Sequence, residues 1–189
     1  LWVSGVLVSV GPRVALAHEE STSHGACQVA GADFTCTAVV GARDWIEAVG
    51  VDEDKDDRIS EAEFSRAQGR ITSVVSLSYD VWSGGERCSV ATAETTFAGA
   101  ETTTAVRFRC PGEIARLKVD VRLFREQAFR HTHVAKIEVG GRTHTAAFLR
   151  GASAFESDAG LSPQVFGFLK LGITHLFLGI DHILILLAL

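Results

Sequence analysis

Hydrophobic and polar positions change their period along the chain and divide it into helical and strand-like stretches. Ala42–Gly50 and Ser60–Leu77 carry apolar residues at helical spacing, which predicts two helices on either side of an acidic loop. From Tyr79 onward the period becomes two, and this predicts strands separated by glycine-containing turns. The predicted strands are Tyr79–Ser83, Cys88–Thr96, Thr102–Cys110, Ala115–Phe124, His133–Val139 and Arg142–Phe148. Short strands at this spacing predict a small antiparallel β-sandwich over residues 79–150.

Two stretches carry no clear period. The first is an N-terminal segment over residues 18–41: residues 18–25 are polar and expected to be loose, whereas residues 27–40 mix strand formers with glycine and indicate no definite element. Residues 151–162 are rich in small and polar side chains, which predicts a linker.

The first seventeen residues have the pattern of a secretory signal peptide. The apolar run from Leu1 to Val10 is too short to span a bilayer, and Pro12 interrupts it. Small residues at Ala15 and Ala17 are typical of a cleavage site, so the mature chain is expected to begin at His18. The alternative is an uncleaved anchor that begins before this sequence.

A second apolar stretch closes the chain and predicts a transmembrane helix over residues 163–189. Ser162 is a good N-cap and Pro163 suits the first helical position. Val165–Leu189 exceeds the roughly 20 residues that a bilayer requires. We expect this helix to be the first of a membrane domain whose further helices lie beyond this sequence. The lipid bilayer is then a partner, and residues 18–160 lie on the periplasmic side of the cell (inner) membrane.

Composition fits a membrane-associated chain and argues against nucleic-acid binding. Apolar residues make up 47% of the chain and the mean hydropathy is +0.19. The formal net charge is -5, whereas a nucleic-acid-binding protein would need a basic surface.

The cysteines indicate an oxidising compartment and predict two disulfides. The chain has 4 cysteines, and none forms a C-x-x-C pair. Cys88 and Cys110 are placed symmetrically about Gly99, so a hairpin centred on that glycine would put them opposite each other. The remaining pair, Cys27–Cys36, follows by elimination.

The acidic loop has the spacing of a calcium-binding loop. Calcium binds six to eight hard oxygen ligands, and alternate positions of a tight loop can direct them inward. Ile59 occupies the apolar eighth position and Asp57 the sixth, where glycine is usual, and Asp tolerates the left-handed backbone better than most residues. The candidate ligands are Asp52, Asp54, Asp56, the backbone carbonyl of Arg58, Ser60 and Glu63. The alternative is a solvated acidic loop without a metal.

This loop and its flanking helices resemble the EF-hand family over residues 42–78. The resemblance implies calcium as a ligand and, without a second such loop, a structural site. The expected fold class is therefore α+β. An EF-hand-like helix–loop–helix would stand beside the small antiparallel sandwich, and the first transmembrane helix of a truncated helical membrane domain would follow.

Ionisable residues in the C-terminal apolar stretch predict a site within the membrane. A charged side chain at the centre of a bilayer costs about 2.5–3.5 kcal/mol on insertion scales. His175 and His182 lie two helical turns apart on one face, with Gly179 between them. Asp181 points to an adjacent face, and Lys170 near the outer end can extend to the interface. Two imidazoles and a carboxylate suit nickel, cobalt or zinc.

The run from His175 through Gly179 to Asp181 and His182 resembles the first-helix signature of the HupE/UreJ hydrogenase and urease accessory membrane proteins. Those proteins are regarded as nickel or cobalt permeases. The resemblance implies that His175, Asp181 and His182 bind a transition metal, and that the protein binds or transports it.

Three alternatives stay open at this point. The polar residues could form a contact between helices of a bundle. The exported part could be a binding module whose membrane segment is only an anchor. An intramembrane metal-dependent hydrolase is the third, although no catalytic residue stands out in the sequence. Finally, His131, His133 and His144 could form a metal patch, but we interpret them as exposed histidines on a sheet.

Overall fold

The computed structural model describes residues 21–125, 131–150, 152–157 and Ile173, and these residues form two packed β-sheets with two helices. The helices are α1 (Ala42–Val49) and α2 (Glu61–Ser78). The strands are β1 (Ser21–Ala30), β2 (Asp33–Gly41), β3 (Tyr79–Ser83), β4 (Glu86–Arg87), β5 (Ser89–Phe97), β6 (Glu101–Arg109), β7 (Leu117–Val121), β8 (His131–Val139), β9 (Arg142–Phe148) and β10 (Ala154–Glu156).

The larger sheet has the strand order β5-β6-β2-β1-β8-β9. Its neighbouring strands are antiparallel except for β1 and β8, which are parallel. The expectation of a purely antiparallel sandwich was therefore wrong at this one pair. β1 lies at the centre of the sheet although it comes first in the chain, and a parallel neighbour far along the sequence cannot be read from local periodicity.

The smaller sheet has the order β10-β7-β3-β4 and packs its apolar face against the larger one. Inward-facing residues alternate along β3, β7 and β10, as expected for a half-buried sheet. The largest apolar side chains with less than 2% exposure are Trp45, Phe34, Phe108, Phe155, Ile71, Leu117 and Ile137.

Both helices pack on the sandwich. Along α2, one apolar stripe is buried, and its Phe64 ring stacks on Phe97 of β5 at 5.0 Å. In α1, Trp45 is fully buried, and its indole Nε1–H donates to Thr102 Oγ1 of β6 at 2.7 Å. The helices thus belong to the same hydrophobic core as the strands.

The expected fold class, α+β with an EF-hand-like helix–loop–helix and a transmembrane helix, was wrong for the described part of the chain, which is mostly β. The helix positions were close to the observed ones, but the helices are not a separate domain over residues 42–78. Their apolar faces are covered by sheet residues, as the contacts of Phe64 with Phe97 and of Trp45 with Thr102 illustrate.

Two segments that were predicted to lie outside the sandwich contribute strands to it. Most of the predicted N-terminal segment, residues 18–41, is strand, because β1 and β2 are the two central strands of the larger sheet. The predicted linker, residues 151–162, includes β10, which pairs with β7 through Phe155 opposite Val119. Phe155 is 1% exposed, so burial of one aromatic ring anchors this short strand in a stretch of small residues.

Both predicted disulfides, Cys88–Cys110 and Cys27–Cys36, are confirmed. The second pair joins directly opposite residues of β1 and β2. In the β5–β6 hairpin, Phe97 pairs with Thr102, one residue away from the register centred on Gly99. A bulge between Val90 and Thr92 absorbs that residue, and it brings the two cysteines into bonding reach.

Among the described residues, no helix is long and apolar enough to cross a membrane. The predicted transmembrane helix over 163–189 lies outside the described residues apart from Ile173, and the predicted signal peptide over 1–17 lies outside them as well.

Candidate functional site

The acidic loop runs from the end of α1 to the start of α2 and is fixed at both ends by the core. Gly50 closes α1 in the left-handed conformation, and its N–H donates to the carbonyls of Trp45 and Ile46. Val51 and Ile59 are buried, at 2% and 5% exposure, whereas residues 53–58 between them are exposed. The loop is therefore anchored by two apolar side chains and presents its polar part to solvent.

The carboxylate of Asp52 organises the turn. Its Oδ1 accepts from the backbone N–H of Lys55 at 2.7 Å and of Asp56 at 3.3 Å, and its Oδ2 accepts from Asp57 N at 3.0 Å. Lys55 and Asp57 have φ values of 62° and 61°. The prediction that Asp57 can take the left-handed conformation at the sixth position is thus confirmed.

The carboxylate of Glu63 reaches back from α2 over the loop. Its Oε1 accepts from Glu53 N at 2.7 Å, and its Oε2 accepts from the backbone N–H and the hydroxyl of Ser60 at 2.9 and 2.7 Å. Ser60 Oγ in turn accepts from Glu63 N, which completes a capping box at the start of α2. These hydrogen bonds, those from Ser60 first, lower the pKa of Glu63 to about 2. Glu63 is therefore a fixed anion at neutral pH.

Three carboxylates converge above the loop. Asp52, Asp54 and Glu63 each offer an oxygen, and these oxygens all lie within 4.8 Å of one another. Desolvation, followed by the negative charges of Asp56 and Glu63, raises the pKa of Asp54. Hard oxygen donors with mutual repulsion suit calcium, whose charge would offset that repulsion.

The structure brings together half of the predicted calcium ligands. Asp52, Asp54 and Glu63 form the carboxylate cluster. Asp56 instead accepts from Arg58 N at 2.9 Å, and the hydroxyl of Ser60 is hydrogen-bonded to Glu63. The predicted transition-metal ligands His175, Asp181 and His182 lie outside the described residues.

A second polar cluster was missed by sequence reasoning, and we call it the buried relay. It crosses the space between α1 and the core through a continuous row of hydrogen bonds from β1 to β8 and β3. Its members, in order along the row, are Asp44, Ser21, His131, Ser23, His133 and Tyr79.

The hydrogen bonds of the relay are short and mostly enclosed. Ser21 Oγ contacts Asp44 Oδ1 and lies 2.6 Å from His131 Nδ1. Ser23 Oγ lies 2.8 Å from His131 Nε2 and 2.7 Å from His133 Nδ1. Ser23 and His133 are 0% and 1% exposed, so the interpretation of His133 as an exposed histidine was wrong.

The far end of the relay lies in the core, where His133 Nε2 is 2.7 Å from the hydroxyl of Tyr79. Burial lowers the pKa of His131 to about 4 and that of His133 to about 3, and it raises the pKa of Tyr79. Burial also raises the pKa of Asp44. Both imidazoles are therefore neutral at pH 7.

The relay differs from a nucleophile–base–acid triad. In such a triad the carboxylate orients the imidazole, and the imidazole activates the hydroxyl. Here the hydroxyl of Ser21 stands between the carboxylate of Asp44 and the imidazole of His131. The Ser-x-Ser and His-x-His patterns could have indicated the cluster, since alternate residues share a strand face. The missing information was the parallel register that pairs Ser21 with His131 and Ser23 with His133.

Neither a scan against protein-family models nor a search of curated proteins finds a match to this chain. The resemblance to the HupE/UreJ proteins therefore stays a prediction that rests on His175, Gly179, Asp181 and His182.

Proposed function

We propose that this protein binds calcium at the loop from Asp52 to Glu63. The observation that carries the proposal is the convergence of three carboxylate oxygens, from Asp52, Asp54 and Glu63, within 4.8 Å. Two of these carboxylates are already positioned by backbone N–H groups, so a cation would meet ligands whose side-chain entropy is largely lost beforehand. Backbone carbonyls and water complete the coordination shell of such sites.

The same contacts predict a modest affinity. Both oxygens of Glu63 accept hydrogen bonds from Ser60 or Glu53, and calcium binding must share or replace them. We therefore expect a Kd on the order of 10⁻⁴–10⁻³ M, the range of extracellular calcium modules. Magnesium requires a smaller, nearly octahedral site, and we expect it to bind more weakly.

Calorimetric titration of calcium into the full chain tests the proposal. The expected result is a single site that Asp54→Asn removes, because this change takes away one converging anion without touching the hydrogen bonds of Asp52 and Glu63. Glu94→Gln is the matched control, since Glu94 is an exposed acid on β5, away from the loop. Equal binding by the wild type and Asp54→Asn, or no binding by the wild type, would contradict the proposal.

We also propose that the described domain folds in an extracytoplasmic, oxidising compartment. Two disulfides close the hairpins β1–β2 and β5–β6, and both cysteine pairs are buried. Structural disulfides of this kind persist mainly outside the cytoplasm. Calcium at millimolar concentration is also available there, which fits the expected affinity.

A third proposal concerns the C-terminal apolar stretch, which lies outside the described residues. We propose that the protein is located in the cell membrane and binds or transports nickel or cobalt, with His175, Asp181 and His182 as metal ligands. The support is the resemblance to the HupE/UreJ proteins and the chemistry of two imidazoles with a carboxylate. Uptake of nickel and cobalt by cells that make the full-length protein tests this part. His175→Ala and His182→Ala should reduce uptake, whereas Thr174→Ser should not; unchanged uptake in both histidine variants would contradict it.

A further inference from the structure

The hydrogen bond that Ser21 donates to Asp44 fixes the direction of every proton in the buried relay. A carboxylate only accepts, so the hydroxyl of Ser21 donates to Asp44 Oδ1. Ser21 Oγ must then accept from His131 Nδ1–H, and Nε2 of this neutral ring becomes an acceptor for the hydroxyl of Ser23. The first half of the relay is thus satisfied in one direction only.

The second half continues in the same direction. Ser23 Oγ, having donated to His131, accepts from His133 Nδ1–H. His133 Nε2 then accepts from the hydroxyl of Tyr79, which is a donor at this pH. Both histidines are therefore neutral Nδ1–H tautomers, and each hydrogen bond has one donor and one acceptor.

Protonation of either imidazole would disrupt this arrangement of donors and acceptors. Protonation of His131 would put a hydrogen on Nε2, and Ser23 Oγ would then face two N–H donors while its own hydrogen lost its acceptor. Protonation of His133 would put a hydrogen on Nε2, so the Tyr79 hydroxyl would have to accept there and its own hydrogen would lose its acceptor. A buried donor without an acceptor destabilises the folded state, in addition to the desolvation of the charge.

The groups that face the two rings come from α1, β1 and β3. From α1, Asp44 reaches His131 only through Ser21, and the charges of Arg43 and Glu47 act on Asp44. From β1, His24 repels a charge on His133, and from β3 the facing group is the Tyr79 hydroxyl. Aromatic rings also contact the imidazoles: Phe124 meets His131 edge-on, Tyr79 meets His133 edge-on, and Phe148 of β9 lies tilted against His133.

The first residues of β1 are held mainly by β8. Among the described strands, Ser21, Thr22 and Ser23 pair with β8 and not with β2, because the pairing of β1 with β2 begins at His24 opposite Val39. Residues 24–28 of β1 pair with β2 on one side and β8 on the other, and the Cys27–Cys36 disulfide links them covalently to β2. The relay thus sits on the half of the strand with fewer contacts.

We propose that the buried relay is an acid-sensitive latch: protonation of His131 and His133 releases residues 21–23 from β8, while the pairing with β2 and the disulfide keep the rest of β1 in the sheet. The released segment carries Ser21 and Ser23 away from the two rings, which can then be hydrated. This latch does not depend on calcium binding.

Hydrogen exchange of the full chain, measured by mass spectrometry and corrected for intrinsic rates, tests the latch. Between pH 7 and pH 5, protection of the amides of residues 22 and 23 should fall by at least about tenfold, as expected for uptake of one proton or more on opening. Protection of residues 28 and 29 in the same strand should change far less. A uniform loss along β1, or no loss, would overturn the proposal.

Two further measurements keep the test independent of any one variant. His131→Asn should reduce the pH response, whereas His144→Asn, on the neighbouring strand β9 and outside the relay, should keep it. If His131→Asn does not fold, the ¹⁵N chemical shifts of the wild-type imidazoles still test the proposal, because they report the tautomer of each ring. Nδ1–H tautomers for both His131 and His133 at pH 7 support the latch. An Nε2–H tautomer at either ring, or an undiminished response in folded His131→Asn, would overturn it.

Discussion

The acidic loop and the buried relay are both rows of hydrogen-bonded polar side chains, yet their electrostatic balance differs. In the relay, every donor meets an acceptor, and neutral imidazoles occupy the middle. In the loop, backbone N–H groups satisfy Asp52 and Glu63 only in part, and desolvation together with the negative charges of the loop raises the pKa of Asp54. The relay is complete without a ligand and excludes an added charge, whereas the loop has an excess of negative charge that a cation would neutralise.

The largest effect should come from breaking the relay in its middle. Ser23→Ala leaves His131 Nε2 and His133 Nδ1–H without a partner, and each orphaned buried group costs about 1–3 kcal/mol. We expect the free energy of unfolding to fall by about 3 kcal/mol, measured by urea denaturation. Thr22→Ala, at the exposed neighbouring position, should change it by less than about 0.5 kcal/mol. Equal effects of the two substitutions would contradict the role given to the relay.

The second-largest loss of stability should come from adding a side chain at Gly25, next to His133. A Cβ added at Gly25 would lie 2.8 Å from His133 Nε2 and 2.9 Å from the Cβ of Ala135. Gly25→Ala should therefore destabilise the fold by about 1–3 kcal/mol through overpacking. Gly69→Ala is the matched control, because a Cβ there meets nothing within 4 Å and alanine favours the helix α2. In thermal unfolding, Gly25→Ala should have a lower Tm than the wild type and Gly69→Ala a higher one. A Gly25→Ala variant more stable than Gly69→Ala would contradict the packing around His133.

The pH dependence of stability should separate the two regions. Since His131 and His133 have folded pKa values of about 4 and 3, below the ordinary 6.5, unfolding takes up protons as the pH falls below 6.5. Their contribution to stability is complete above pH 6.5 and is lost toward acid, by up to about 1.4 kcal/mol per pH unit for each fully buried histidine. Glu63 has a folded pKa of about 2, below its ordinary 4.5, so its contribution is complete above pH 4.5 and is lost as the pH approaches 2.

Urea denaturation at several pH values checks this separation. Between pH 6.5 and 5 the free energy of unfolding should fall in the wild type and fall less in His131→Asn. Glu63→Gln should retain the wild-type slope in that range, because Glu63 does not titrate there. A flat profile between pH 6.5 and 5 would show that the relay does not exclude protons.

Local pattern was enough to predict the elements near the loop and much of the sandwich. The period of Tyr79–Ser83 and Arg142–Phe148 gave the observed strand limits, and the symmetric spacing of Cys88 and Cys110 gave a correct disulfide. The alternate carboxylates and Glu63 predicted the cluster because a calcium loop is contiguous in sequence.

Contacts between distant residues could not be predicted in the same way. The relay depends on pairing β1 with β8 across more than a hundred residues. The helices pack against distant residues as well: Phe64 of α2 stacks on Phe97 of β5, and Trp45 of α1 contacts Phe124 edge-on. The serines and the glycine of β1 have low strand propensity, so the local sequence did not predict this strand. Its position in the sheet depends instead on the buried relay.

The central claim, that the loop is a cation site and the relay is not, is tested most directly by thermal unfolding at pH 7 with and without calcium. At a calcium concentration about ten times the Kd, binding should stabilise the wild type by about 1.4 kcal/mol. For a chain of this size that raises Tm by about 3–5 °C. Ser23→Ala should show the same rise from a lower starting Tm, and Asp54→Asn should show none. The account would be contradicted by a wild-type Tm that calcium leaves unchanged, or by an equal rise in Asp54→Asn.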